Sequence, residues 1–146
     1  MSNATHRIFV FGTLKEGFPN FAVNKGTRLG GNFETEDLYP LYLVGERHSP
    51  WLVLHAGRGE HVKGQVFEVD VETLAAMDLL ERIGQPDGYR RVSIDVRPAD
   101  ITNPKSISVF AYVKLASQLN ADEIRLGPLR EYELGHASLY RCRPNT

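Results

Sequence analysis

Ile8-Phe9-Val10-Phe11-Gly12-Thr13-Leu14-Lys15-Glu16-Gly17-Phe18-Pro19-Asn20 is the stretch from which the rest of this chain is best read. Its first four residues are β-branched or aromatic and make a short unbroken apolar run, the pattern of a buried strand. The run stops at Gly12, and Gly17, Pro19 and Asn20 then mark an irregular segment. A buried strand that enters a glycine turn leaves backbone N–H groups without ladder partners. Such groups can form a small nest for an anionic or carbonyl-bearing ligand. Thr13 adds a hydroxyl that donates or accepts. Two readings stand on the local pattern: Gly12 simply lets the chain turn, or it opens a binding loop. A phosphate-loop reading is weaker, because Lys15 is followed by Glu16 and no second glycine precedes a Lys-Ser/Thr pair.

Outward from this stretch, strand material is expected over 27–33 and 36–44, broken by Gly30-Gly31 and Pro40. A polar loop over 45–50 leads to a short strand over 51–54, and 61–69 reads as a strand packed on both faces. Asp70 is placed as the N-cap of a helix from Val71 to Ile83, which holds no Pro or Gly and is ended by Gly84 and Pro86. Alternation returns over 89–97, with Val92, Ile94 and Val96 on one face, and a further strand is expected over 107–113. Residues 121–133 are read as one short helix interrupted at Gly127-Pro128. The ends, 1–6 and 141–146, are expected to fray. Many strands with one principal helix predict an α+β fold with a mainly antiparallel, barrel-like sheet in a single domain over 1–146.

Within the helix, Met77-Asp78-Leu79-Leu80-Glu81-Arg82 carries the sharpest chemical feature. Val71, Leu74 and Met77 share a face, and at 3.6 residues per turn Glu81 falls close to the same line. A carboxylate facing the core, with Asp78 nearby as a like charge, should have its pKa raised by desolvation and repulsion. That is the state proton transfer near neutrality requires. The competing reading pairs Glu81 with one of Arg82, Arg90 or Arg91, and the spacing alone leaves both open.

The run Ile8 to Lys15, followed by Gly17-x-Pro19-Asn20, resembles the opening of the gamma-glutamylcyclotransferase-like superfamily, nearest to the gamma-glutamylamine cyclotransferases. Asp78-x-x-Glu81 followed by Tyr89-x-Arg91, and the segments Tyr39-Pro40-Leu41 and Glu46-x-x-x-Pro50-Trp51, resemble the same family in the same order. The resemblance implies that Phe11, Gly12, Thr13 and Leu14 form the turn that holds substrate. Phe11 stands where the family usually has tyrosine, so backbone amides rather than a phenol would act there. It also implies that Glu81 is the catalytic acid/base, with Asp78 a supporting or surface carboxylate. Trp51 is either a wall of the pocket or a core residue. Tyr89 and Tyr112 either present hydroxyls to the site or pack in their strands. The implied reaction is intramolecular: the α-amine of a γ-glutamyl amide or peptide attacks the γ-carbonyl, releasing 5-oxoproline and a free amine, with no cofactor. Two alternatives stay open: an enzyme removing γ-glutamyl groups in biosynthesis or repair, and a non-catalytic binding module of the same fold.

Composition narrows the field. Seventeen basic and eighteen acidic residues nearly cancel, which argues against a nucleic-acid or anionic-membrane partner. No run approaches the ~18 apolar residues of a membrane span. The single cysteine, Cys142, cannot form an internal disulfide and lies in the expected loose tail, so a reducing, cytoplasmic setting is expected and a nucleophilic role is not. His6, His48, His55, His61 and His136 are scattered without metal-ligand spacing, and no Gly-x-Ser-x-Gly elbow occurs. No metal is expected.

Overall fold

The computed structural model describes residues 5–141. In chain order these form β1 (Thr5–Val10), β2 (Thr27–Arg28), β3 (Phe33–Thr35), β4 (Leu41–Val44), β5 (Ser49–Leu54), β6 (Lys63–Asp70), α1 (Val71–Leu80), β7 (Arg90–Pro98), β8 (Ile107–Leu115), β9 (Ile124–Leu126) and α2 (Leu134–Ala137). The expected α+β class, mainly antiparallel with one principal helix, is what the chain adopts.

β1 pairs along both edges, antiparallel to β6 from Thr5↔Asp70 to Val10↔Gln65 and parallel to β8 at Ile8↔Phe110 and Phe9↔Ala111. From β6 the ladder passes to β3, β7 and β8, each step antiparallel, and so returns to β1. The circuit closes through short contacts, and β5, β4 and β9 extend away from β8. The sheet therefore curls strongly without being a true barrel.

Side-chain alternation distributes the core to both faces of this sheet. Phe9, Val66, Val109, Ala111 and Val113 point into the concave interior with Leu41, Leu52 and Tyr132. Ile8, Val10, Phe67 and Val69 point the other way, against Leu74 and Met77 of α1. A strand buried on both faces has no solvent-facing positions, which is why 8–11 reads as an apolar run rather than as alternation. Each such side chain contributes roughly 1.5–3 kcal/mol of burial.

Several boundaries differ from the sequence expectation. Thr5 and His6 are not frayed: they continue the β1–β6 ladder, and Thr5 Oγ1 donates to Glu68 at 3.0 Å. Arg141 is likewise held, its N–H donating to the Arg47 carbonyl at 3.0 Å. Cys142 and the rest of the expected loose tail lie outside the described residues. The strand expected over 36–44 begins only at Leu41, after Pro40, which has no N–H to give a ladder. The expected loop over 45–50 is a turn over 45–48, and Ser49 and Pro50 already belong to β5. No helix fills 121–133: a 3₁₀ turn at Ala121–Glu123 leads into β9, which pairs with β4. Tertiary pairing overrides the weak local helix signal there.

The helix also stops three residues early. Asp70 caps its start as expected, accepting from the Thr73 N–H at 2.7 Å. Its end is a Schellman motif in which Ile83 N–H bonds the Asp78 carbonyl and Arg82 N–H bonds the Leu79 carbonyl. Arg82, not a glycine, takes the left-handed conformation, with φ 57°. Val71, expected on the core stripe, is 57% exposed because it is the first helical residue and lies beyond the sheet.

Phe9 tests the shared core. Replacing this fully buried ring by alanine should cost about 3–5 kcal/mol, read as a lower urea midpoint at unchanged slope.

Candidate functional site

One cavity of about 270 Å³ opens where the end of β1 meets the end of α1. Its floor is Phe11, Gly12, Thr13 and Leu14, and Glu81 with Leu80 stands over one side. Residues far apart in the sequence thus share one small space, the arrangement of a ligand site.

The loop after β1 is a chain of tight turns that uses up its carbonyls. Gly12 O accepts from Lys15 N–H at 3.1 Å and Thr13 O from Asn20 N–H at 2.8 Å. Leu14 O accepts from Asn24 Nδ2 at 3.1 Å. Among the described residues, the N–H groups of Gly12, Thr13 and Leu14 donate no hydrogen bond. A loop whose acceptors are satisfied by the protein and whose donors are not is a nest for an oxygen ligand. Gly12 is required by close approach: a Cβ there would lie 2.7 Å from Pro50 Cγ. Phe11 is buried in the interior core with its ring 6.3 Å from that of Phe9.

Glu81 is the C-cap of α1 rather than part of its body. Its N–H bonds the Met77 carbonyl at 2.9 Å, and its own carbonyl accepts from Tyr89 N–H at 2.9 Å, tying the helix end to the start of β7. Two of the arginines offered by the sequence are engaged by other acids. Arg82 donates to Asp87 through Nε and Nη2, and Arg91 forms an ion pair with Asp78.

Asp78 also accepts from the Tyr112 hydroxyl at 2.6 Å, and Tyr112 lines the cavity. Burial first, and this bond to Asp78 second, push the Tyr112 phenol well above its ordinary range, so it stays protonated. Tyr89 lines the cavity too, its hydroxyl donating to the Pro50 carbonyl at 2.8 Å. Trp51 does not line it. Alternation along β5 turns Pro50 to the cavity and Trp51 behind it, where Lys114 Nζ sits 4.2 Å from the Trp51 ring and 4.6 Å from the Tyr89 ring. Lys114 donates onward to the Asp87 carbonyl at 2.6 Å. Trp51 thus backs the wall that Tyr89 forms.

Sequence reasoning missed Arg47, Ser49, Pro50 and Tyr140, which complete the rim, and gave Asn20 no site role. Asn20 Nδ2 donates to Thr13 Oγ1 at 2.9 Å and to the Tyr140 hydroxyl at 3.3 Å. Arg47 Nη2 donates to the same hydroxyl at 3.3 Å. For Arg47, Ser49 and Pro50 the signals in the sequence were the Gly45 turn and the Glu46-x-x-x-Pro50-Trp51 segment around them. Nothing local announces that Tyr140 returns to the first loop.

The family model described as gamma-glutamyl cyclotransferase, AIG2-like, matches residues 8–134. A gamma-glutamylaminecyclotransferase of Rattus norvegicus is 39% identical over 95 residues, covering 62% of this chain and 62% of that protein. Its Bos taurus counterpart is 36% identical over 108 residues, covering 70% of this chain and 63% of that protein. The matched segment therefore spans less than two thirds of either relative. A crystal structure of an AIG2-like protein from Mus musculus superposes with a TM-score of 0.78 at 29% identity, covering 97% of both chains.

Lys15, in the same loop, does not line the cavity. Its ammonium donates to the Tyr132 carbonyl and lies 4.3 Å from the Phe18 ring centroid. Burial lowers its pKa from 10.5 to about 8, against the opposing pull of Glu131 and Glu133. A lysine that binds its proton less well folded than unfolded costs stability while charged, so its contribution should rise as pH climbs from about 8 towards 10.5. Urea unfolding of Lys15→Met across that interval should show a flatter rise than the parent chain.

Proposed function

The chain belongs to the gamma-glutamyl cyclotransferase, AIG2-like family, and from that premise and the cavity we propose that it cyclises γ-glutamyl amides or peptides to 5-oxoproline and a free amine. The observation that carries the reading is the meeting of one carboxylate, Glu81, with the undonated N–H groups of residues 12–14 in a single cavity. The names of the relatives agree with a small γ-glutamyl substrate.

In the proposed reaction the loop N–H groups of Gly12, Thr13 and Leu14 hold the γ-glutamyl oxygens. Glu81 takes a proton from the α-ammonium. Tyr112, whose proton is committed to Asp78, offers its oxygen as an acceptor that orients the same nitrogen. The freed amine attacks the γ-carbonyl, and a C–N bond closes a five-membered ring. The oxyanion that develops is met by loop N–H donors. As the tetrahedral intermediate collapses, the protonated Glu81 gives its proton to the leaving nitrogen and the original amide bond breaks. The Glu81 carboxylate so restored takes the second proton from the ring nitrogen, which becomes the lactam N–H of 5-oxoproline, and passes it to the departing amine. Because the attack is intramolecular, holding the chain of the substrate folded supplies much of the rate, on the order of 7–11 kcal/mol for well-aligned cases.

A mass-spectrometric assay for 5-oxoproline with γ-glutamyl-ε-lysine, γ-glutamyl-alanine and glutathione tests the reading. Release should fall by on the order of 10²-fold or more in Glu81→Gln, at an unchanged melting temperature. A folded Glu81→Gln protein with parental turnover would remove Glu81 from the mechanism. Silence from the parent chain on all three substrates would favour a binding module instead.

A further inference from the structure

Tyr89, Tyr112 and Tyr140 all line the cavity, and their hydrogen bonds divide them. Tyr89 gives its proton to the Pro50 carbonyl at 2.8 Å, and Tyr112 gives its proton to Asp78 at 2.6 Å. A phenol carries one proton, so these two hydroxyls meet a ligand with their lone pairs. Tyr140 is bonded the other way round. Its oxygen accepts from Asn20 Nδ2 at 3.3 Å and from Arg47 Nη2 at 3.3 Å, and among the described residues it donates to nothing. With both lone pairs taken, the O–H is what this hydroxyl has left to offer a ligand.

The surrounding bonds fix where that donor stands. Asn20 Nδ2 also donates to Thr13 Oγ1 at 2.9 Å, so one amide nitrogen joins the Tyr140 hydroxyl to the loop of undonated N–H groups. Arg47 Nε donates to the Arg141 carbonyl at 3.0 Å, which holds the guanidinium beside the phenol. A cation bonded to the phenol oxygen polarises the O–H and strengthens it as a donor. The cavity therefore has an acceptor side, Glu81 with Tyr112, and a donor side, the loop with Tyr140.

Ring closure makes its heaviest demand on the donor side. A γ-glutamyl amide brings an α-carboxylate and a γ-carbonyl, and the carbonyl oxygen gains negative charge as the amine attacks. The N–H groups of residues 12–14 give one hydrogen bond each, too few to hold a carboxylate and also surround an oxyanion. Resting on the cyclotransferase reading, we infer that Tyr140 is a further catalytic residue, whose hydroxyl donates to the γ-carbonyl oxygen and binds it more strongly as the oxyanion forms. A cavity of about 270 Å³ takes the glutamyl portion and leaves the departing amine at the rim, so the scissile amide lies on the side where Tyr140 stands. The proton stays on the phenol throughout, and the C=O that reforms on collapse leaves it unchanged. Asn20 and Arg47 are positioning residues, holding the hydroxyl by its oxygen.

The test measures kcat and KM for 5-oxoproline release from γ-glutamyl-ε-lysine, γ-glutamyl-alanine and glutathione. The proteins compared are the parent chain, Tyr140→Phe, Arg47→Gln and the double variant, at a temperature where circular dichroism shows all of them folded. Tyr140→Phe keeps the ring and removes the O–H. Its kcat should fall by about 10²-fold with KM within about threefold of the parent value, as for a bond made in the transition state. Arg47→Gln should lower kcat less, and should cost Tyr140→Phe nothing further, because the hydroxyl through which it acts is gone. Multiplying losses in the double variant would overturn the positioning role of Arg47. Parental kcat in Tyr140→Phe would overturn the inference, and so would a raised KM at parental kcat, which marks a ground-state contact. Either result, beside a Glu81→Gln protein that has lost turnover, leaves the cyclotransferase reading standing. Absence of 5-oxoproline from the parent chain on all three substrates would overturn both readings together.

Discussion

β1 has no free side. β6 pairs with one edge and β8 with the other, Phe9 fills the interior of the curled sheet, and Ile8 and Val10 pack under α1. Such a strand is held by two ladders and two cores at once, so the point at which it ends is fixed as firmly as anything in the molecule. That end is Gly12, pressed so close to Pro50 that no Cβ fits. The loop that follows starts from an immovable origin, and its turns then consume each carbonyl in succession. What is left facing the cavity is a set of donors whose positions cost no reorganisation when an oxygen ligand arrives.

The helix is positioned by the same sheet. Asp70 ends β6 and caps α1, so the helix begins where the neighbour of β1 stops. Leu74 and Met77 lay it across Ile8 and Val10. The Schellman closure at Arg82 then ends it at Glu81, and the Arg82–Asp87 bonds hold the left-handed residue that makes this possible. Ending here rather than at Ile83 places Glu81 at a rigid terminus whose carbonyl is bonded to Tyr89 at the threshold of β7. Beneath it, the Asp78–Arg91 pair and the Tyr112 bond join α1 to β7 and β8. The carboxylate to which the proposed reaction assigns proton transfer is thus carried by an element locked at three places.

A third part of the site comes from the C-terminal segment. Arg141 exchanges backbone and side-chain hydrogen bonds with Arg47, and Tyr140 bridges Arg47 to Asn20. Lys15 fastens the first loop to Tyr132 from behind. The rim is therefore assembled from three stretches that are remote in the chain, with uncharged oxygens surrounding its one cation.

The sequence by itself determined the elements whose signals are local. The apolar run 8–11, the glycine turn, the Asp70 cap, the strands expected over 89–97 and 107–113 and observed over 90–98 and 107–115, and the α+β class are all legible, because burial on one or two faces writes a period into the residues. Glu81 and residues 11–14 were left open by the local pattern and became candidates through the family resemblance, and both do line one cavity. Tertiary structure alone decided the rest. Trp51, left open between pocket wall and core, lies behind the wall because side chains alternate along β5 and Pro50 takes the cavity side, a choice of face made by the pairing of β5 with β4 and β8. The helix end moved because a non-glycine residue took the left-handed position, supported by an ion pair formed five residues on. Asn20, Arg47 and Tyr140 meet only through closure of the chain, and a contact between positions 120 residues apart leaves no period for a sequence to display.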